Sequence, residues 1–181
     1  MADVSVRPAR ADDLAEIARI QVDTWRLGYR EIVPAVVLES LSVETATDVW
    51  GNAVTAPPSP RHHVLVAQEQ EWRVGFVALA PAEELEPTDP AADTTVAIGP
   101  LLVESRWGRR GHGSRLLAAA VDHARADGMT RAITWIPEAD TASREFFVSA
   151  GWAPDGVGRA LDTGDGELRE IRLHVSLEEV A

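Results

Sequence analysis

Residues 107–117 read WGRRGHGSRLL. Two glycines, Gly111 and Gly113, stand two apart behind a pair of arginines, and a helical pattern follows at once. Arg106, Arg109, Arg110 and Arg115 crowd into ten residues of a chain whose formal net charge is −12. A helix N-terminus leaves backbone N–H groups unpaired and carries partial positive charge, and glycine lets backbone approach a ligand closely. Strand, glycine loop and helix in that order are therefore an anion site on physical grounds, with about 1.5–3 kcal/mol available per charge-assisted bond to a phosphate. The arginines add long-range attraction and bidentate reach. Taken alone, the loop also fits a solvated Arg-rich turn: it is not G-x-G-x-x-G, and no acidic residue closes a nucleotide-binding βαβ unit.

The rest of the composition narrows the chemistry. All 17 basic residues are arginine, which excludes Schiff-base catalysis and a Walker-type lysine. There is no cysteine, so disulfides, thiolate metal sites and a covalent cysteine nucleophile are excluded as well. The overall acidity argues against a nucleic-acid partner, which calls for a broad basic face. A local arginine cluster in an acidic protein suits a small, highly charged ligand. No apolar run reaches the roughly 18 residues of a membrane span, so no membrane partner is expected. The N-terminus lacks the apolar core of a secretory signal, and a cytoplasmic location is the default. His62 and His63 open a strand with side chains on opposite faces, poor geometry for one metal, and no metal is expected.

These residues need elements to position them. The length of 181 residues suggests one domain over 1–181. VSVRPA (4–9) reads as a strand. Residues 12–28 read as a helix with Leu14, Ile17, Ala18 and Trp25 on one face and Asp12 and Asp13 in its first turn. Residues 35–55 hold one or two further helices, and APPSP (56–60) is a break. HHVLVAQE (62–69) and EWRVGFVALA (71–80) read as a strand pair. The acidic, Pro-rich stretch 81–93, with Glu83, Glu84, Glu86, Asp89 and Asp93, reads as a solvated loop that could also attract a cationic amine. TTVAIGPLLVE (94–104) is a strand interrupted at Gly99-Pro100, where it must bulge or lose pairing. From Ser114 the positions Leu116, Leu117, Ala120, Val121 and Ala124 mark a helix closed by Gly128. RAITWIP (131–137) is a buried strand. Residues 140–150 form a helix capped by Asp140 or Thr141, and a hairpin ends the chain with Ile171, Leu173 and Val175 alternating with polar residues. The order describes a mixed α+β domain with one strand–loop–helix–strand unit at its centre.

At this point the chain resembles the GNAT superfamily of acetyl-CoA-dependent N-acetyltransferases over nearly its whole length. WRLGYREIVPAVVLESLS is similar to the acceptor-side region of small-molecule members. LLVESRWGRRGHGSRLL resembles the acyl-CoA loop, [Arg/Gln]-x-x-Gly-x-[Gly/Ala] after a strand. DTASREFFVSAGW resembles Asn-x-x-[Ala/Ser]-x-x-[Phe/Leu]-Tyr-x-x-x-Gly-Phe. Three regions in the right order are far more specific than any one. The resemblance implies a mostly antiparallel central sheet of about seven strands flanked by helices and splayed between the fourth and fifth strands. It gives Gly99-Pro100 the role of opening that splay. It implies acetyl-CoA as cosubstrate, with contacts from Leu101, Leu102, Val103, Arg109, Arg110, Gly111, His112, Gly113, Ser114, Asp140 and Phe147. His112 is expected to use its backbone N–H while its side chain faces solvent. Trp25 and Tyr29, four apart, line an acceptor pocket or pack in the core. A homodimer through the C-terminal hairpin is a family-level expectation.

Within the two matched motifs the sequence departs from the family at three places. Gly108 stands where Arg or Gln is usual, and Asp140 replaces the asparagine. Phe147 stands where many members place a tyrosine that protonates the departing thiolate. Loss of a general acid costs roughly 10²–10⁴-fold, though a thiol of pKa about 8.5 is a tolerable leaving group unassisted. The strand glutamate that many members use as base is Ala97 here. Glu31, Glu104, Glu138 and His174 remain as base candidates, with relay through ordered water as the alternative. The reading is direct transfer of an acetyl group to a primary amine of a small molecule or peptide. A catalytically silent acyl-CoA-binding regulatory domain is the alternative, and an unrelated phosphate-binding α+β domain is a third reading.

Overall fold

The computed structural model describes residues 4–83 and 85–178, so Glu84 of the acidic stretch lies outside the described residues. Seven strands, β1 (Val4–Pro8), β2 (His63–Glu69), β3 (Trp72–Pro81), β4 (Thr95–Val103), β5 (Arg131–Pro137), β6 (Ala153–Asp162) and β7 (Glu167–Ser176), form one sheet of order β1-β2-β3-β4-β5-β7-β6. Every neighbouring pair is antiparallel except β4 and β5, which are parallel. The helices are α1 (Leu14–Gly28), α2 (Ala35–Ser40), α3 (Val43–Thr55), α4 (His112–Ala126) and α5 (Thr141–Ser149).

The sheet is covered on both faces, which is why β2 and β3 read as continuous apolar runs. On one face Ile17, Ala18 and Ile20 of α1 and Trp50 of α3 pack on Val64, Val66, Phe76 and Leu102. On the other, Leu116, Leu117, Ala120 and Ala124 of α4 and Phe147 of α5 cover Leu65, Val74, Val77, Leu79 and Ile136. The entry to α1 is fixed by Asp13, whose fully buried carboxylate accepts from Arg7 at 2.7 Å, Arg73 at 2.8 Å and the Arg10 N–H at 2.9 Å. Burial alone would raise its pKa; these bonds more than reverse that and hold it well below the usual carboxylate range.

The fourth strand carries the irregularity that matters. Gly99-Pro100 shifts its register against β3 between Val77 and Leu79. Its parallel pairing with β5 covers only Thr95, Val96 and Ala97, after which the two strands part. Beyond the bulge it stays paired to β3 through Leu101↔Val77, Leu102↔Phe76 and Val103↔Gly75.

Three sequence expectations are corrected here. The acidic stretch is not all solvated: Asp89 accepts from Arg172 at 2.5 Å, and Arg172 with Arg131 also holds Asp155. Arg172 is accordingly buried, which breaks the alternation expected of β7; it stands over Trp135 rather than in water. The helix expected from Ser114 begins at His112, with Gly111 as its cap in the left-handed region at φ 81°.

Candidate functional site

Where β4 and β5 part, a cavity of about 640 Å³ opens. Leu101 and Leu102 of β4 form one wall, Trp135 and Ile136 of β5 the other, and Ser143 and Phe147 of α5 close it. Beyond Ala97, β4 has no strand partner on its β5 side, so peptide groups of residues 98–103 lie open to the gap. An extended ligand with amides could pair there as a further strand.

The open edge leads directly into the glycine loop. Gly108 is extended, Arg109 (φ 61°) and Gly111 (φ 81°) are left-handed, and α4 starts at His112 with no side chain capping it. Its first N–H groups therefore face out of the loop for an anion, and alternating left- and right-handed backbone is the geometry of an anion nest. Arg109 and Arg110 are exposed beside it. Gly113 sits in the first turn, its missing side chain filled in by the ring of Phe146 (3.4 Å from an ideal Cβ) and by Leu101 (3.9 Å). On the far side of that turn a groove of about 470 Å³ runs between α4 and α5, lined by Ser114, Leu117, Val121 and Phe146. The N-terminus of α4 thus stands between the two hollows. His112 departs from expectation: its side chain is 1% exposed, with Nε2 2.8 Å from a Glu69 oxygen.

The acceptor-side residues also face the cavity. Trp25 and Tyr29 line it, their rings 6.1 Å apart, with Tyr29 just past the end of α1. Burial first, then the charges of Asp140 and Glu170, raise the Tyr29 pKa above the ordinary phenol value and keep it an O–H donor. Asp140 caps α5, accepting from the Ser143 N–H at 3.0 Å and hydroxyl at 2.7 Å. Sequence reasoning missed several lining residues, among them the charged pair Arg159 and Glu170. Glu170 of β7 is held by Arg159 of β6 at 2.6 Å, and Arg159 lies 4.3 Å over the ring of Trp135.

The four base candidates do not reach the cavity lining. Glu31 is exposed in the turn after α1, and Glu138 is exposed after β5. Glu104 is tied to Arg19 at 3.2 Å and Arg106 at 3.0 Å. His174 lies opposite Ile133, where β4 and β5 are still paired, and lines a separate pocket of about 410 Å³ with Arg131 and Arg172. Spacing along the chain could not tell these from Glu170. His63, at the head of β2, pairs with Asp127 at 2.7 Å, while His62 contacts Ser59. Among the described residues no group of three or more His, Cys, Asp or Glu side chains is placed to hold a metal, and no helix is long and apolar enough to cross a membrane.

Comparison with known proteins agrees with this geometry. The chain is 33% identical over 137 residues to the uncharacterized N-acetyltransferase YuaI of Bacillus subtilis (strain 168), covering 75% of this chain and 72% of that protein. Among solved structures it resembles yncA of Salmonella typhimurium, described with its cofactor acetyl-CoA, at TM-score 0.70 and 18% identity over 99% of this chain and 96% of that one. It also resembles the PaiA N-acetyltransferase of Thermoplasma acidophilum in complex with coenzyme A, at TM-score 0.77 and 14% identity over 96% and 99%. At such identities the structural likeness speaks for the fold. The model of the acetyltransferase (GNAT) family matches residues 16–152, so the chain belongs to that family and is an acyltransferase.

Proposed function

We propose that this enzyme moves the acetyl group of acetyl-CoA directly to a primary amine of a small molecule or peptide, with both substrates bound across the β4–β5 gap. The observation that supports this most is the unpaired edge of residues 98–103, which runs from the cavity into the N-terminus of α4. The residues present suit the cosubstrate. Leu101, Leu102 and Val103 offer an edge for its amide-bearing arm. The N–H groups of Gly111, His112, Gly113 and Ser114, with Arg109 and Arg110, suit its diphosphate. When bound, acetyl-CoA supplies the activated thioester acyl group.

The chain's own groups account for the rest. With no cysteine, no acyl-cysteine can form, which favours direct transfer. An alkyl ammonium of pKa about 10 must lose a proton before it can attack. Glu170, oriented by Arg159, is the cavity carboxylate best suited to hold that ammonium, and solvent at the mouth takes the proton. Trp25 and the Tyr29 hydroxyl flank the acceptor. Phe147 donates no proton, so water protonates the leaving thiolate, at the cost in rate that an absent general acid carries.

A panel of primary amines with thiol detection tests this reading. Thiol release should require both acetyl-CoA and an amine, and mass spectrometry should find the N-acetylated amine. Glu170→Gln should raise the amine KM by about tenfold while leaving the acetyl-CoA KM within about threefold. Thiol release at the same rate with and without every amine would contradict direct transfer.

A further inference from the structure

The loop between β4 and α4 holds two left-handed residues, Arg109 and Gly111, on either side of Arg110. A left-handed arginine in an exposed loop persists only where its surroundings over-determine the shape. Most of what surrounds this loop is local: Arg115 donates to the Arg110 carbonyl at 3.0 Å, and the Arg106 and Arg110 guanidinium groups lie 5.7 Å and 4.9 Å from the Trp107 ring. From elsewhere in the fold the Trp72 ring lies 5.4 Å from the Arg106 guanidinium and Arg19 holds Glu104 at the start of the loop, but one carboxylate reaches the glycine turn itself. Glu69, the last residue of β2, reaches the loop twice: one oxygen is 2.8 Å from His112 Nε2, the other 3.4 Å from Arg110 Nη1. The two contacts flank Gly111.

His112 is placed there against its own solvation. Its side chain is buried, and because a carboxylate can only accept, Nε2 carries the proton. In the neutral ring that tautomer leaves Nδ1 as an acceptor, which is buried with no protein partner among the described residues. Trp107, whose ring stands edge-on 6.3 Å away, has a buried Nε1–H in the same condition. An apolar residue would fill this helix face without such a loss; what an apolar residue cannot do is hold Glu69.

We propose that Glu69 and His112 form a brace that keeps the loop in its diphosphate-binding shape, making both positioning residues for the cosubstrate. This rests on the reading of the loop as the diphosphate site. The pair sits behind the loop, on the β2 side, and the reacting end of the cavity lies beyond β4; the brace therefore acts on cosubstrate affinity and not on the acyl-transfer step.

The experiment measures CoA affinity by calorimetry, and KM and kcat with acetyl-CoA, for the full chain and for His112→Ala, Glu69→Ala and His112→Gln. His112→Ala and Glu69→Ala should each weaken CoA binding and raise the acetyl-CoA KM by about tenfold or more, with kcat at saturation within about threefold. His112→Gln, whose amide N–H can still reach Glu69, should recover affinity to within about threefold of the parent. Glu69 lies at a strand end, so Glu69→Ala tests the bond without opening a hole in the core. Unchanged affinity in folded His112→Ala and Glu69→Ala would overturn the brace, and so would His112→Gln being as impaired as His112→Ala. Gly111→Val in parallel separates the two levels: if it too binds CoA normally, or the parent does not bind, the loop reading fails; if only the brace variants bind normally, the brace alone fails.

Discussion

Replacing Gly75 with alanine should loosen the fold and the site together. Gly75 lies in β3 opposite Val103, and an ideal Cβ there would stand 2.5 Å from the Leu102 carbonyl oxygen and 3.1 Å from Val103 Cα. Ordinary contact begins near 3.4 Å, so about 0.9 Å of separation has to be found against backbone that no rotamer change can move. The strand on the other side of Gly75 belongs to the buried core, whereas β4 has no β5 partner beyond Ala97 to hold it in place. Residues 102–103 therefore yield toward the gap. Overpacking of this kind costs about 1–3 kcal/mol, which for a chain of this size lowers Tm by about 5 °C. The same shift moves the edge proposed to align the acyl donor by nearly 1 Å, and a misplacement of that size costs about 10²-fold in rate. Circular dichroism melting and kcat/KM for acetyl-CoA measure the two effects. A variant with parental Tm and kcat/KM within about twofold of the parent would refute the reasoning, because β4 would then not be placed by the close approach at Gly75.

Three further outcomes are expected. Gly111→Val should abolish calorimetric CoA binding while far-UV circular dichroism stays parental: the new Cβ meets only the Arg115 guanidinium, at 3.2 Å, but a β-branched residue resists φ 81°. Phe147→Tyr should leave CoA affinity unchanged and raise kcat; an unchanged kcat would show that protonation of the leaving thiolate does not limit turnover. Asp13 has a depressed pKa in the fold, so its contribution to stability is complete above the unfolded value of about 3.9 and is lost as pH falls below it. Asp13→Asn should accordingly be about 3 kcal/mol less stable than the parent at pH 7, with the gap in urea midpoints narrowing from pH 4 down to pH 2.5 and not yet closed there; a gap independent of pH would contradict the ion-pair assignment.

Much of the frame was legible because its signals are local. Gly128 and Gly151 end helices in the left-handed region, Asp140 caps α5, and Gly99-Pro100 interrupts β4 where its register shifts. The burial of His112 had a signal that a late helix start concealed. His112, Leu116, Ala120 and Ala124 are spaced by four and all buried, so beginning the helix after Gly111 places the histidine on the core face. The Arg159–Glu170 pair was also within reach. Counting inward from Asp162↔Glu167 across the TGDG turn sets Arg159 opposite Glu170. That Glu170 faces a cavity follows from the parting of β4 and β5, which the hairpin itself does not encode. The Asp89–Arg172 and Glu69–His112 contacts join residues 83 and 43 positions apart, and nothing in either local stretch announces its partner.

The most direct test of the central claim is a calorimetric titration of the folded protein with acetyl-CoA, with ADP as the control. Micromolar binding of acetyl-CoA that ADP does not match is the predicted result, because the open edge of β4 adds to what the glycine loop supplies. Equal affinity for the two would mean that the loop binds phosphates and the β4–β5 gap takes no arm. No binding of either ligand would mean that the loop is not an anion site at all.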